Sequence, residues 1–184
     1  NHVGRAGYRE ICAGLRDARD KVIGGIGAID GLRVLTAPEM CLVAFVSDDP
    51  DVEIFHLADL MIRRGWYVQP QLGMTNSPRN VHLTITPANV PHMDRFLVDL
   101  AEAMDEARRV ETPEIPPMLA MAIETIDFSK LDDATFDQLL QAAGLGAGGD
   151  LPEDRVIINL LLDRLDAAAR ERILVTFFNG LYVQ

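Results

Sequence analysis

The stretch from Met40 to Thr86 most constrains the fold, because its apolar pattern changes from strand to helix and back to strand. Residues 40–47 (MCLVAFVS) form an almost unbroken apolar run, which is typical of a strand buried on both faces. Residues 66–71 and 81–86 have the composition of two further short strands, and a loop rich in turn formers joins them. The stretch therefore predicts a small sheet.

A helix is predicted between the first two of these strands. Asp49 is the expected N-cap, Pro50 stands in the first turn, and the helix is expected to end at Gly65. Its apolar residues recur at helical spacing and should be buried: Ile54, Leu57, Ala58, Met61 and Ile62.

The flanking segments extend this pattern on both sides. A long first helix has one apolar stripe and ends at Gly31, and residues 32–35 predict a strand antiparallel to residues 40–47. Asn89 can cap another helix after the last strand. The stripe of the first helix comprises Tyr8, Ile11, Cys12, Leu15, Val22, Ile26 and Ile29. The sequence thus predicts an α+β (two-layer α/β) fold, a small mostly antiparallel sheet covered by helices mainly on one face.

The proline-rich residues 111–117 (ETPEIPP) predict a linker, because three prolines in five positions exclude regular structure. We therefore expect a first domain over residues 1–111 and a helical extension over residues 112–184 that packs on it. Within the extension, apolar spacing predicts helices up to about residue 145 and one long final helix from Pro152 to about Leu181.

Charge and composition exclude several functions. A net charge of −11 argues against binding to nucleic acid or to anionic membranes. No apolar run approaches the roughly 20 residues of a membrane span, and the first residues lack the apolar core of a signal peptide. Cys12 and Cys41 suit buried thiols in a reducing compartment. We therefore expect a cytoplasmic protein.

Most candidate motifs fail on their context. The GxGxxG pattern in residues 144–149 follows a helix rather than a strand, so we interpret it as a flexible turn. Histidines at positions 2, 56, 82 and 92 lack zinc-site spacing, and no metal site is predicted. Lys21 and Lys130, the two lysines of the chain, lie in polar surroundings where no amine would be desolvated for covalent catalysis.

His82 is the residue of greatest interest. Strand alternation places Val81, Leu83 and Ile85 on one face, and His82 with two threonines on the other. That second face either is simply solvated or packed, or faces a polar cleft formed with another domain.

Four segments together resemble one family: residues 7–22, 29–49, 54–71 and 80–90. They are similar to the C-terminal small domain of fold-type I pyridoxal-phosphate enzymes, and within these to the sphingosine-1-phosphate lyase branch of the group II decarboxylases. The most specific pieces are LADLMIRRGW and VHLTIT. The likeness runs from about residue 7 to residue 109.

The resemblance implies a pyridoxal 5'-phosphate cofactor, held through a Schiff-base lysine in a large N-terminal domain that this sequence does not contain. It also implies a homodimer for the full-length enzyme. We therefore expect no catalytic residue in this chain, and we expect the chain alone to bind no cofactor and to be inactive.

The resemblance also indicates substrate-binding residues. Where aminotransferases and amino-acid decarboxylases of this fold have an arginine for the substrate carboxylate, this chain has His82, as in the lyase branch. The implied reaction is carbon–carbon cleavage of a phosphorylated amino alcohol, with Arg79 and Gln71 as further cleft-edge residues that contact substrate or order the loop.

Two alternatives stay open: a domain of a glutamate-like amino-acid decarboxylase, and a stand-alone non-catalytic interaction domain. Residues 132–149 look like an addition to the family pattern, and we interpret them as a packing or partner-binding helix.

Overall fold

A computed structural model describes residues 3–115 and 155–182, together with positions 117, 120, 121, 125, 130, 132, 134, 135 and 138. The chain divides into two compact units, Asn1–Thr112 and Pro113–Gln184. That residues 112–184 pack on residues 1–111 stays a prediction.

The first unit alternates helices with short strands, and it confirms the predicted α+β class. Its elements in chain order are α1 (Gly4–Ala28), β1 (Leu32–Val34), β2 (Leu42–Ser47), α2 (Ile54–Arg63), β3 (Gln69–Gln71), β4 (Asn80–Thr84), a 3₁₀ turn (Val90–His92) and α3 (Met93–Ala107).

The four strands form one antiparallel sheet in the order β1-β2-β4-β3. The predicted antiparallel pairing of β1 with β2 is confirmed. After α2 the chain enters β3 at the edge of the sheet. It then returns through β4, which lies between β2 and β3. This register places residues of three strands side by side on each face.

One face of the sheet carries the core of the unit. Val43, Phe45 and Val81 on that face are fully buried, and the helices cover them with their own apolar stripes. The opposite face (the open face) is only partly covered, since Leu42 on β2 keeps 56% of its surface exposed whereas Val46 on the same face is buried. The expectation that residues 40–47 form a strand buried on both faces is therefore wrong at this end of the strand.

The predicted start of α2 is also wrong. The helix begins at Ile54, and its N-cap is Glu53, whose Oε1 accepts a hydrogen bond from the Phe55 N–H at 3.4 Å. Asp49 is engaged elsewhere: its carboxylate accepts hydrogen bonds from the Asp51 N–H at 3.0 Å and from Arg108 Nε at 2.8 Å. Those bonds hold residues 49–52 in a turn ahead of the helix.

Replacing Glu53 with alanine is expected to lower the free energy of unfolding by about 1 kcal/mol, the usual cost of losing an N-cap. The substitution also removes the acceptor of Arg79 Nη1, which lies 2.8 Å from Glu53 Oε2. Urea unfolding followed by circular dichroism measures the change. Asp51→Ala is the matched control, because this exposed acidic residue gives the cap no side-chain acceptor; an equal loss in both variants would contradict the assignment of Glu53 as the cap.

The strand predicted over residues 66–71 is shorter than expected. Only Gln69–Gln71 pair with β4, because the Trp66 indole turns toward α3 and donates from Nε1 to Asp99 Oδ2 at 2.8 Å. The Trp66 ring also meets Phe96 edge-on, with ring centroids 5.2 Å apart.

The first helix is buried over only part of its predicted stripe. Ala18, Val22 and Ile26 are its buried residues, whereas Tyr8 is 65% exposed and Cys12 is exposed. The N-terminal half of α1 therefore presents apolar side chains outside the core of the unit.

In the second unit the predicted single final helix is wrong, since two helices are present: α4 (Val156–Arg164) and α5 (Ala167–Tyr182). Asp166 separates them, because its Oδ1 accepts from the Ala169 N–H at 2.8 Å and so caps the start of α5. Arg170 Nη2 donates to the Asp163 carbonyl at the end of α4 at 2.7 Å. The helices predicted between residue 117 and residue 151 lie largely outside the described residues.

Candidate functional site

His82 lies on the open face of the sheet, on the strand β4, which has β2 on one side and β3 on the other. His82 on β4 lies directly opposite Ala44 on β2 and opposite Gln69 on β3. Residues paired in this way share a face, with Cβ atoms about 4.5–5.5 Å apart. His82 and Ala44 are half-buried and Gln69 is exposed, so this row is accessible at the surface of the unit.

Of the predicted site residues, Gln71 shares this face but lies two residue pairs along the sheet from His82. Its partner across the strands is Asn80, which is buried. Gln69, which the sequence reasoning missed, is the glutamine beside His82. Only the register of β3 on β4 decides which of the two glutamines lies beside His82. That register depends on the loop that joins β3 to β4, in which Met74 and Ser77 pair.

Arg79 is directed toward the start of α2. Its Nη1 donates to Glu53 Oε2 at 2.8 Å, and its guanidinium lies 5.8 Å from the centroid of the Phe55 ring. Phe55 is fully buried on α2, on the helix-covered side of the sheet. These contacts tie the end of the β3–β4 loop to the cap of α2.

A cleft of about 230 Å³ lies at the β1 end of the open face, and Arg33, Val46 and Arg79 are among its lining residues. Arg33 donates two hydrogen bonds to Asp48, at 2.6 and 2.9 Å. The Arg33 guanidinium thereby holds the pKa of the Asp48 carboxyl below its usual range. Both arginines of this cleft already have carboxylate partners within the unit.

Neither lysine of the chain is placed to hold a pyridoxal phosphate covalently. Lys21 pairs with Asp94 on α3 and keeps half of its side chain exposed, and Lys130 is exposed in the second unit. Neither amine lies in a desolvated pocket of the kind that covalent catalysis needs. Among the residues that the structure describes, no cluster of three or more potential metal ligands occurs. None of the described helices combines the length and apolar character of a membrane span.

A protein-family model described as "Pyridoxal-dependent enzyme, C-terminal putative HTH domain" matches residues 116–180. Residues 132–149, interpreted above as an addition to the family pattern, lie inside this match. The match covers most of the second unit.

Curated relatives are sphingosine-1-phosphate lyases. The enzyme of Arabidopsis thaliana is 33% identical over 106 residues, which is 58% of this chain and 18% of the relative. The enzyme of Oryza sativa is 32% identical over the same length, and that of Dictyostelium discoideum is 26% identical over 102 residues. The chain therefore spans less than a fifth of the length of these relatives.

Two solved structures resemble the chain. A sphingosine-1-phosphate lyase of Burkholderia pseudomallei matches 82% of this chain and 27% of its own, with 28% identity and a TM-score of 0.51. The glutamate decarboxylase of Lactobacillus brevis matches 58% of this chain and 26% of its own, with 20% identity and a TM-score of 0.51, and shows the fold alone. With the family match and the curated relatives, these likenesses show that the chain is homologous to the C-terminal region of sphingosine-1-phosphate lyases, which are pyridoxal-phosphate-dependent enzymes.

Proposed function

We propose that this chain is the C-terminal part of a pyridoxal-phosphate-dependent lyase that cleaves a phosphorylated amino alcohol to an aldehyde. The single observation that carries the proposal is the position of His82, half-buried on the open sheet face of a chain homologous to sphingosine-1-phosphate lyases. The open face then forms one wall of a substrate pocket, and a preceding domain supplies the cofactor and its lysine.

The chemistry of imidazole supports a substrate without a carboxylate at this position. A neutral imidazole offers one donor and one acceptor, which suits a hydroxyl group. A carboxylate would call for the two parallel hydrogen bonds of an arginine. On this basis His82 binds and orients the amino alcohol, and that role distinguishes the lyase from the glutamate-like decarboxylase.

Arg79 and Gln71 have secondary roles in the proposal. Arg79 orders the loop before β4 through Glu53, and so acts on the site indirectly. Gln71 lies two residue pairs away from His82 on the outer strand, where a long polar side chain can contact the far end of a substrate. The full-length enzyme is proposed to be a homodimer, as the family resemblance implies, and to be cytoplasmic, as the lack of targeting signals led us to expect.

We also propose that the C-terminal module does not bind nucleic acid, although its family description includes a helix-turn-helix. Residues 113–184 contain twelve aspartates and glutamates but only five lysines and arginines. Phosphate contacts require a basic surface, so this charge supports a role in packing or in binding a protein partner.

In the full-length protein, His82→Ala is expected to lower kcat/KM for a phosphorylated amino alcohol by about tenfold, the loss of one hydrogen bond to a polar group. Aldehyde formation is measured together with carbon dioxide release from amino acids. His92→Ala is the matched control, because His92 is exposed in the 3₁₀ turn away from the sheet face. If the wild-type protein releases carbon dioxide and forms no aldehyde, the decarboxylase is favoured. An unchanged kcat/KM in His82→Ala would show that His82 is not part of the site.

The chain alone is proposed to bind no pyridoxal phosphate covalently. Mixing the 184-residue chain with the aldehyde and adding borohydride should leave no stoichiometric adduct on either lysine. A trapped adduct together with turnover would contradict the proposal that a preceding domain supplies the cofactor lysine. It would show that this chain is an enzyme by itself.

A further inference from the structure

We propose that Ala44 sets the size of the substrate group that is admitted beside His82. The inference rests on the function proposed above, because it concerns the same wall of the pocket. It assigns a specificity-determining role to a residue that has no polar group. Three observations on the open face support it.

The first observation is the register of the sheet. Ala44 on β2 lies directly opposite His82 on β4, and on its other side His82 faces Gln69 on β3. Gln69 has a long side chain, whereas Ala44 has a single methyl group. Of the two side chains that flank the imidazole, the one on the Ala44 side is therefore the smaller.

The second observation is the order of side chains along β2. Leu42, Ala44 and Val46 follow one another on the open face, since alternate residues of a strand share a face. Leu42 carries four side-chain carbons and is 56% exposed, so it stands higher on this face than Ala44, whereas Val46 is buried beneath the neighbouring cleft. His82 lies directly across from Ala44, so a larger side chain at position 44 would occupy the space between His82 and Leu42.

The third observation is that local structure does not call for alanine at this position. Alanine is depleted in strands, where β-branched and aromatic residues pack better on the pleated surface. The neighbours of Ala44 on the core face are Val43 and Phe45, which follow that preference and are buried. A valine at position 44 would suit the strand as well or better, so the small side chain points to a need for space above it.

Full-length protein with glycine, alanine, valine or leucine at position 44 tests the proposal. KM for the phosphorylated amino alcohol should rise in that order, by at least about tenfold for Ala44→Leu, which is the scale of steric discrimination by a pocket. We expect kcat to change less than about twofold, because a blocked pocket weakens binding without altering the reacting groups. Ala44→Val provides the graded second variant should leucine disturb folding.

Ala101→Leu on α3 is the matched control, because it makes the same change at an equally half-buried position away from the sheet face. An unchanged KM in all position-44 variants would overturn the inference. If the position-44 variants lose the cofactor absorbance while KM stays unchanged, the inference is also overturned. Ala44 would then contact the preceding domain, which holds the cofactor, rather than the substrate. If the wild-type protein instead releases carbon dioxide from amino acids, the proposed lyase function fails, while KM for that substrate still decides the role of Ala44.

Discussion

Replacing Gly31 with alanine is expected to lower the free energy of unfolding of the first unit by about 3 kcal/mol, as strained backbone and overpacking combine. Gly31 has a φ of +82°, in the left-handed region that favours glycine. A Cβ built there lies 2.8 Å from Met104 Cε, 2.9 Å from Asp49 Cβ and 3.2 Å from Arg108 Nη2. Met104 is fully buried, so it has little room to move.

Gly65→Ala separates the two causes of this loss. Gly65 has a similar φ of +86°, but a Cβ there meets nothing within 4 Å. This variant should lose only the conformational part, about 1 kcal/mol. Trp66, the one tryptophan of the chain, reports urea unfolding of the unit by fluorescence. Equal losses in the two variants would show that the contacts around Gly31 relax without cost.

Removing the Asp99 carboxylate is expected to cost about 2 kcal/mol, because two hydrogen bonds to a charged group are lost. Asp99 is buried on α3, and its two oxygens accept from Trp66 Nε1 at 2.8 Å and from Arg95 Nε at 2.7 Å. Burial alone would raise the pKa of Asp99, but the hydrogen bonds from Trp66 and Arg95 outweigh it and hold this pKa below its ordinary value of 3.8.

The sign of the pH dependence follows from that lowered pKa. A carboxyl group with a lower pKa in the folded state adds stability that is complete above the ordinary value of 3.8 and is lost as pH falls through the folded value. The deficit of Asp99→Ala should therefore be constant from neutral pH to about pH 5 and shrink in more acidic solution. Asp94→Ala on the same helix is the control, since that exposed carboxylate pairs only at the surface, with Lys21. A deficit that persists unchanged below pH 3 would contradict this account.

Local patterns were sufficient to predict which face of β4 is buried. The alternation of residues 81–85 placed His82 opposite the core side, and the structure confirms that Val81, Leu83 and Ile85 are buried. Strand alternation is a property of the backbone and needs no distant partner. The fold class and the position of His82 could therefore be predicted from the sequence.

Features that depend on distant residues could not be predicted in this way. The start of α2 was misplaced because Arg108, 59 residues along the chain, engages Asp49. Gln69 and Ala44 were missed because both become neighbours of His82 only through the pairing of β4 with β3 and β2. Register is set by the whole sheet and its loops, and the sequence around each residue does not encode it.

The exposed half of α1 has a consequence for work with the chain in isolation. Tyr8 and Cys12 lie one helical turn apart, and Val3 before the helix is 48% exposed. Exposed apolar patches of this kind favour non-specific association between molecules. Association seen in concentrated solutions of the 184-residue chain is thus expected to respond to detergent and to a reducing agent, and the proposed homodimer is to be tested with the full-length protein.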